Sequence, residues 1–100
     1  MFKKQNNWRC TKYTDWVAIQ PSALSGNMGC DPHHIKGHGL TGGTKAPDWA
    51  VIPLTREEHT NLHDIGYKAW ENAHGDQCDL LMRFWRDNFD EIITFFTRPL

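Results

Sequence analysis

Histidine is the residue type in this chain best suited to chemistry. There are six in 100 residues, and five of them, His33, His34, His38, His59 and His63, fall in two clusters. His59 and His63 stand at i and i+4, so on a helix they share one face and can share one metal ion. A third ligand is expected from Asp31-Pro32-His33-His34. In an extended segment neighbouring side chains point to opposite faces, so His33 and His34 should divide the work. One binds the metal and the other stays free as a base. Three protein ligands with open positions make a catalytic type of site, because a closed structural zinc site uses four. Imidazole suits zinc, nickel, copper and iron without choosing among them.

These residues need elements to position them. The spacing of Tyr13, Trp16, Val17 and Ile19 predicts a short helix that ends by Pro21. Ser22 to Gly29 is turn chemistry, and Pro32 stiffens an extended approach through His33-His34-Ile35. Trp49-Ala50-Val51-Ile52, bracketed by Pro47 and Pro53, predicts a buried strand. The two extended segments make a hairpin with a long loop, in which Gly37, Gly39, Gly42 and Gly43 let backbone approach a ligand closely. Thr55-Arg56-Glu57-Glu58 has the form of a capping box, so a helix carrying His59, Leu62 and His63 should follow. Gly66 is expected to end it before a second short helix that stops at Gly75. From Asp76 to about Phe96, the residues Leu81, Trp85, Phe89, Ile92 and Phe96 predict one long amphipathic helix. Its stripe suits core packing or a dimer seam.

A chain of 100 residues with 39% apolar and 23% charged residues is one globular domain and excludes wholesale disorder. Residues 1–12 read as a basic tail, 30–66 as the core around the histidines and 76–96 as the amphipathic helix. The net charge of −1 rules out overall charge as an argument for nucleic-acid binding, so that argument must come from a local site. Cys10, Cys30 and Cys78 are too scattered for a disulfide framework and read as reduced, idle thiols. No apolar run is long enough to cross a bilayer, and Met1-Phe2-Lys3-Lys4-Gln5 lacks the apolar stretch of a secretion signal. A cytoplasmic protein without a membrane partner is the expectation.

The order His-His, glycine-rich loop, apolar strand and His-x-x-x-His helix resembles the HNH nuclease superfamily. More specifically, Cys30-Asp31-Pro32-His33-His34-Ile35-Lys36-Gly37-His38-Gly39, Gly42-Gly43-Thr44-Lys45, Ile52-Pro53-Leu54-Thr55-Arg56 and the His59 to His63 pair resemble a phage and prophage family of RecA-dependent recombination-enhancement nucleases. The resemblance covers roughly residues 13–90, with its specific part in 30–63. It implies an α+β fold with a ββα-metal core, an N-terminal helix and additional C-terminal helices. It also implies a metal-dependent DNA endonuclease or nickase, with His33, His59 and His63 as ligands and His34 as general base. The cofactor would be one divalent ion, magnesium or a transition metal such as zinc, manganese or nickel. DNA, and a RecA-like recombinase filament in a bacterial host, would be the partners. The loop donors Lys36, Thr44 and Lys45, with His38, are the expected DNA contacts, positioning phosphates without reading sequence.

This chain departs from that pattern in three places. Many relatives carry a Cys-x-x-Cys pair ahead of the His-His segment, where this chain reads Pro21-Ser22-Ala23-Leu24-Ser25-Gly26, which argues against a structural zinc. The asparagine of the HNH name is replaced by Ala50, and Asp48, placed on the same strand face by alternation, is the substitute that would orient the base. Asp31 shares a face with His33 and is an alternative ligand or a partner behind the ligands. A non-catalytic, metal-stabilised DNA- or protein-binding module is the competing reading of the same residues.

Overall fold

The computed structural model describes residues 8–40 and 45–97. The expectations for Thr44 and for residues 1–7 of the basic tail lie outside the described residues. Helix α1 (Thr11–Ala18) is followed by strands β1 (Cys30–His34) and β2 (Val51–Thr55). Helices α2 (Arg56–Ile65), α3 (Tyr67–His74), α4 (Gln77–Asp87) and α5 (Phe89–Phe96) complete the order. Among the described residues the architecture is α+β, a two-stranded antiparallel sheet with five helices. None of these helices is long and apolar enough to cross a membrane.

The sheet pairs Cys30 with Thr55 at one end and His34 with Val51 at the other. The sequence placed the second strand at Trp49–Ile52 and ended it at Pro53, but the strand runs through that proline. Pro53 lies opposite Pro32. Neither has an N–H, so they suit a pair whose backbone groups point away from each other. The outward carbonyl of Pro53 accepts from the amide of Ala23 at 2.8 Å. Trp49 and Ala50 belong instead to a turn, in which the Ala50 amide donates to the Pro47 carbonyl at 2.9 Å.

Helix α2 starts at the capping box read from the sequence. The Thr55 hydroxyl accepts from the Glu58 amide, and the Glu58 carboxylate accepts from the Thr55 amide. Gly37, at φ 75°, lets the chain leaving β1 lie against α3, since a Cβ there would come within 2.5 Å of the Tyr67 ring. Two apolar clusters form the core. Ile35, Ile52, Leu54, Leu62, Trp70, Leu80 and Leu81 make the first, and Tyr13, Val17, Val51, Phe84 and Ile92 the second.

Two expectations are corrected. The single helix predicted over 76–96 is broken at Asn88, which leaves helical geometry at φ −125° and ψ 22°. Its side-chain amide donates to the Phe84 carbonyl at 3.0 Å, a competition with the helix ladder that asparagine is prone to. The break folds the apolar stripe back onto the chain's own core, with Leu81 in the first cluster and Ile92 in the second, while Phe89 stays 52% exposed. The basic tail, in turn, is already structure by Arg9. Its guanidinium donates to the Ala46 carbonyl at 2.6 Å and to Asp48 at 3.2 Å, and α1 starts at Thr11.

The segment in which relatives were expected to carry cysteines is held by hydrogen bonds. The buried Ser22 hydroxyl donates to Glu58 Oε1 at 2.6 Å and accepts from the amides of Leu24 and Ser25. Burial pushes the Glu58 carboxyl up, but bonds from Ser22, Ser25 and Thr55 outweigh it and hold the group below its ordinary range. Replacing Ser22 by alanine strips one donor from Glu58 and one acceptor from two amides. Ser22→Ala is expected to lower stability by about 1–3 kcal/mol in urea unfolding, with the far-ultraviolet spectrum unchanged. A variant as stable as the parent would show that the loop is held by something else.

Candidate metal centre and histidine pair

Alternation along β1 separates its two histidines. Asp31 and His33 face α2, whereas His34 reaches the turn ahead of β2. Ring nitrogens of His33, His59 and His63 all lie within 4.8 Å of one another, so the three could hold one metal ion. His59 Nε2 and His63 Nε2 are 3.1 Å apart, and the His33 ring stands edge-on to His59 with centroids 5.0 Å apart. Asp31 is not one of this group. It accepts from His59 Nδ1 at 3.2 Å and is clamped by Arg56 through Nε at 2.7 Å and a second nitrogen at 3.1 Å. That places Asp31 behind His59, fixing the tautomer that leaves Nε2 with the lone pair. The Arg56 bond, above all, holds the Asp31 carboxyl below its ordinary range.

Behind His33 stands a residue that the sequence reading missed. Gln77, fully buried, accepts from His33 Nε2 at 2.8 Å and from the Lys36 amide at 3.0 Å. Its own amide nitrogen donates to the Lys36 carbonyl at 3.0 Å and to Glu71 at 2.9 Å, which fixes which end is oxygen. His33 therefore carries its proton on Nε2 and a lone pair on Nδ1. That Nδ1 is buried with no hydrogen-bond partner among the described residues. An orphaned buried lone pair is costly, and a metal ion is a partner that would satisfy it. Only the helix-start pair Asp76-Gln77 hinted at this in the sequence, since a glutamine carries no mark of burial.

On the opposite face, His34 Nε2 donates to Asp48 Oδ1 at 2.8 Å. The sequence expected Asp48 to reach this partner from a strand. It does so from the turn, anchored by its Oδ2 accepting from the Cys10 amide at 2.8 Å. Burial pushes the Asp48 carboxyl up, but His34, Cys10 and Arg9 together hold it below its ordinary range. Burial also lowers the His34 pKa, against the partial support of Asp48. His33, His34, His59 and His63 line one small cleft with Pro32, and Lys36 and Lys45 complete its rim. His38 does not join them. Its ring donates to Glu71 at 2.7 Å with Asp76 Oδ2 3.9 Å away, an acidic setting that disfavours the expected phosphate contact.

A small α+β chain with a hairpin and helix built around clustered histidines is the class that fold and site define. Residues 1–90 match the family described as "Protein of unknown function (DUF968)", and the chain belongs to that family. It is 46% identical over 82 residues to "Uncharacterized protein YdfU" of Escherichia coli strain K12, an alignment covering 81% of this chain and 23% of that protein. The chain thus spans about a quarter of the length of this curated relative. No solved structure matches.

Burial of His33 has a consequence for stability. Removal from water, the dominant influence, pushes its pKa from 6.5 down to about 4. Between those values the unfolded chain binds a proton that the fold refuses, so this contribution is complete above 6.5 and is lost as pH falls toward about 4. His34 and His63, also lowered, act in the same direction, and His38, raised chiefly by its bond to Glu71, acts in the opposite one. In chelator, the urea midpoint of the parent should fall across this window more steeply than that of His33→Gln. Parallel profiles would refute the buried neutral imidazole.

Proposed function

We propose that the chain is a metal-dependent DNA endonuclease or nickase of the HNH, ββα-metal class, acting in phage or prophage recombination or DNA processing. The observation that carries the reading is one cleft shared by two kinds of histidine. Ring nitrogens of His33, His59 and His63 converge there closely enough to share an ion, and His34, bonded to Asp48, lines the same cleft, which supports a ligand set beside a base. The hairpin β1–β2 followed by α2 supports the ββα arrangement, and the orphaned His33 Nδ1 supports an ion between the three rings. An all-imidazole donor set favours a transition ion such as zinc, manganese or nickel over magnesium, which prefers oxygen.

His33 through Nδ1, with His59 and His63, would hold the ion, which when bound supplies charge stabilisation at a phosphate oxygen. The chain's own residues perform the rest. With its Nε2 proton engaged by Asp48, His34 has its lone pair on Nδ1, and its lowered pKa keeps the ring neutral at neutral pH. It takes a proton from a water molecule whose oxygen attacks phosphorus in line, while the bond from phosphorus to the deoxyribose 3′ oxygen breaks and that oxygen leaves, taking a proton from solvent. Asp48, ionised and held by Arg9 and the Cys10 amide, then stabilises the imidazolium. Lys36 and Lys45 at the rim hold the phosphates, so weak sequence preference and strong salt dependence are expected.

The test is cleavage of supercoiled plasmid and of single-stranded DNA, bare and coated with a RecA-type recombinase. Metal-stripped protein is resupplied with magnesium, manganese, nickel or zinc, and the parent is compared with His34→Ala. Loss of at least about a hundredfold in rate at unchanged metal content is the expected outcome. No cleavage of any substrate with any metal would overturn the nuclease and leave the metal-stabilised binding module.

A further inference from the structure

We propose that His38, Asp76 and Cys78, with Glu71 beside them, form a second site for a zinc-like divalent ion, separate from the three-histidine cluster. Ligand atoms of His38, Asp76 and Cys78 already lie within 4.8 Å of one another. Around a zinc ion, donors about 2.0–2.3 Å from the metal sit roughly 3.3–3.8 Å apart, so only small side-chain shifts separate this group from a bound geometry. The backbone leaves the donors available. Asp76 caps α4 with Oδ1, which accepts from the amides of Cys78 and Asp79, and this leaves Oδ2 turned toward His38 Nε2 at 3.9 Å.

The donor chemistry and the field both select a cation of this kind. One imidazole, one thiol and carboxylates make a mixed nitrogen, sulfur and oxygen set, which suits zinc or cobalt and not magnesium or calcium. Around the thiol, Asp76, Glu71 and Asp79 add negative charge to the effect of burial, and both raise the Cys78 pKa. His38 Nε2 donates to Glu71 Oε2 at 2.7 Å, so a proton stands where an ion would sit. Binding then forms the metal–sulfur bond as the thiol proton leaves to solvent, and the metal–nitrogen bond as the His38 Nε2 proton gives way and the neutral ring carries its proton on Nδ1. Glu71 Oε2 also accepts from both nitrogens of Gln77, which connects this site to the residue that holds His33.

Cobalt(II) titration of the metal-free full chain reads the site directly, because cobalt bound to a thiolate gives a near-ultraviolet sulfur-to-metal charge-transfer band and cobalt bound to three imidazoles does not. The band is expected in the parent and in a His59→Ala/His63→Ala variant. It should be lost in Cys78→Ser, kept in Cys10→Ser and Cys30→Ser, and weakened at least tenfold in cobalt affinity by His38→Ala. Circular dichroism establishes that Cys78→Ser is folded, and the His38→Ala affinity decides the matter if it is not. Absence of the band at saturating cobalt, or its survival in Cys78→Ser, would overturn the proposal. Neither result depends on whether the chain cleaves DNA.

Discussion

Neighbouring side chains of a strand cannot face the same way, and the candidate site depends on that constraint. It turns His33 toward α2 and His34 toward the turn before β2, two residues adjacent in sequence but different in surroundings. Each ring is then fixed through one nitrogen. His33 is held by Gln77, His59 by Asp31 and His34 by Asp48. In each case the other ring nitrogen keeps the lone pair, so three hydrogen bonds set three tautomers.

A two-stranded sheet is too small to hold such a constellation by its own ladder, since an isolated hairpin is marginal in water. The remaining stability is tertiary. Apolar clusters press on both sides of the hairpin, and buried polar contacts tie distant segments to it. Gln77 brings the start of α4 onto the end of β1, Ser22 fastens the preceding loop to the first turn of α2, and Arg9 with Cys10 fastens the N-terminal segment to Asp48. Each such contact leaves a buried group unsatisfied when one partner is lost, so these few bonds weigh more than their number suggests.

Local signals were legible in the sequence where the physics is local. The capping box at Thr55, the glycine stops at Gly66 and Gly75 and the i, i+4 pair His59 and His63 depend on residues within one or two turns. Alternation was enough to separate His33 from His34. The bounds of β2 were not legible, because proline is tolerated in a strand only when its partner residue and hydrogen-bond register allow it, and the register was unknown. The break at Asn88 was masked by an apolar period that continues across it. Gln77 was illegible for a deeper reason. Its burial follows from the meeting of Lys36, Glu71 and His33, groups that only the completed fold brings together.

A chain of net charge −1 still carries two local settings of opposite sign. Lys36 and Lys45 border the cleft of His33, His34, His59 and His63, while Glu71, Asp76 and Asp79 surround His38 and Cys78. The first setting favours a polyanion at its mouth, and the second favours a cation within it. Gln77 touches both: its oxygen holds His33, and its nitrogens donate to Glu71. A neutral amide is suited to this position because it donates to one side and accepts from the other. A carboxylate there would face Glu71 with like charge, and an apolar side chain would leave His33 free to turn.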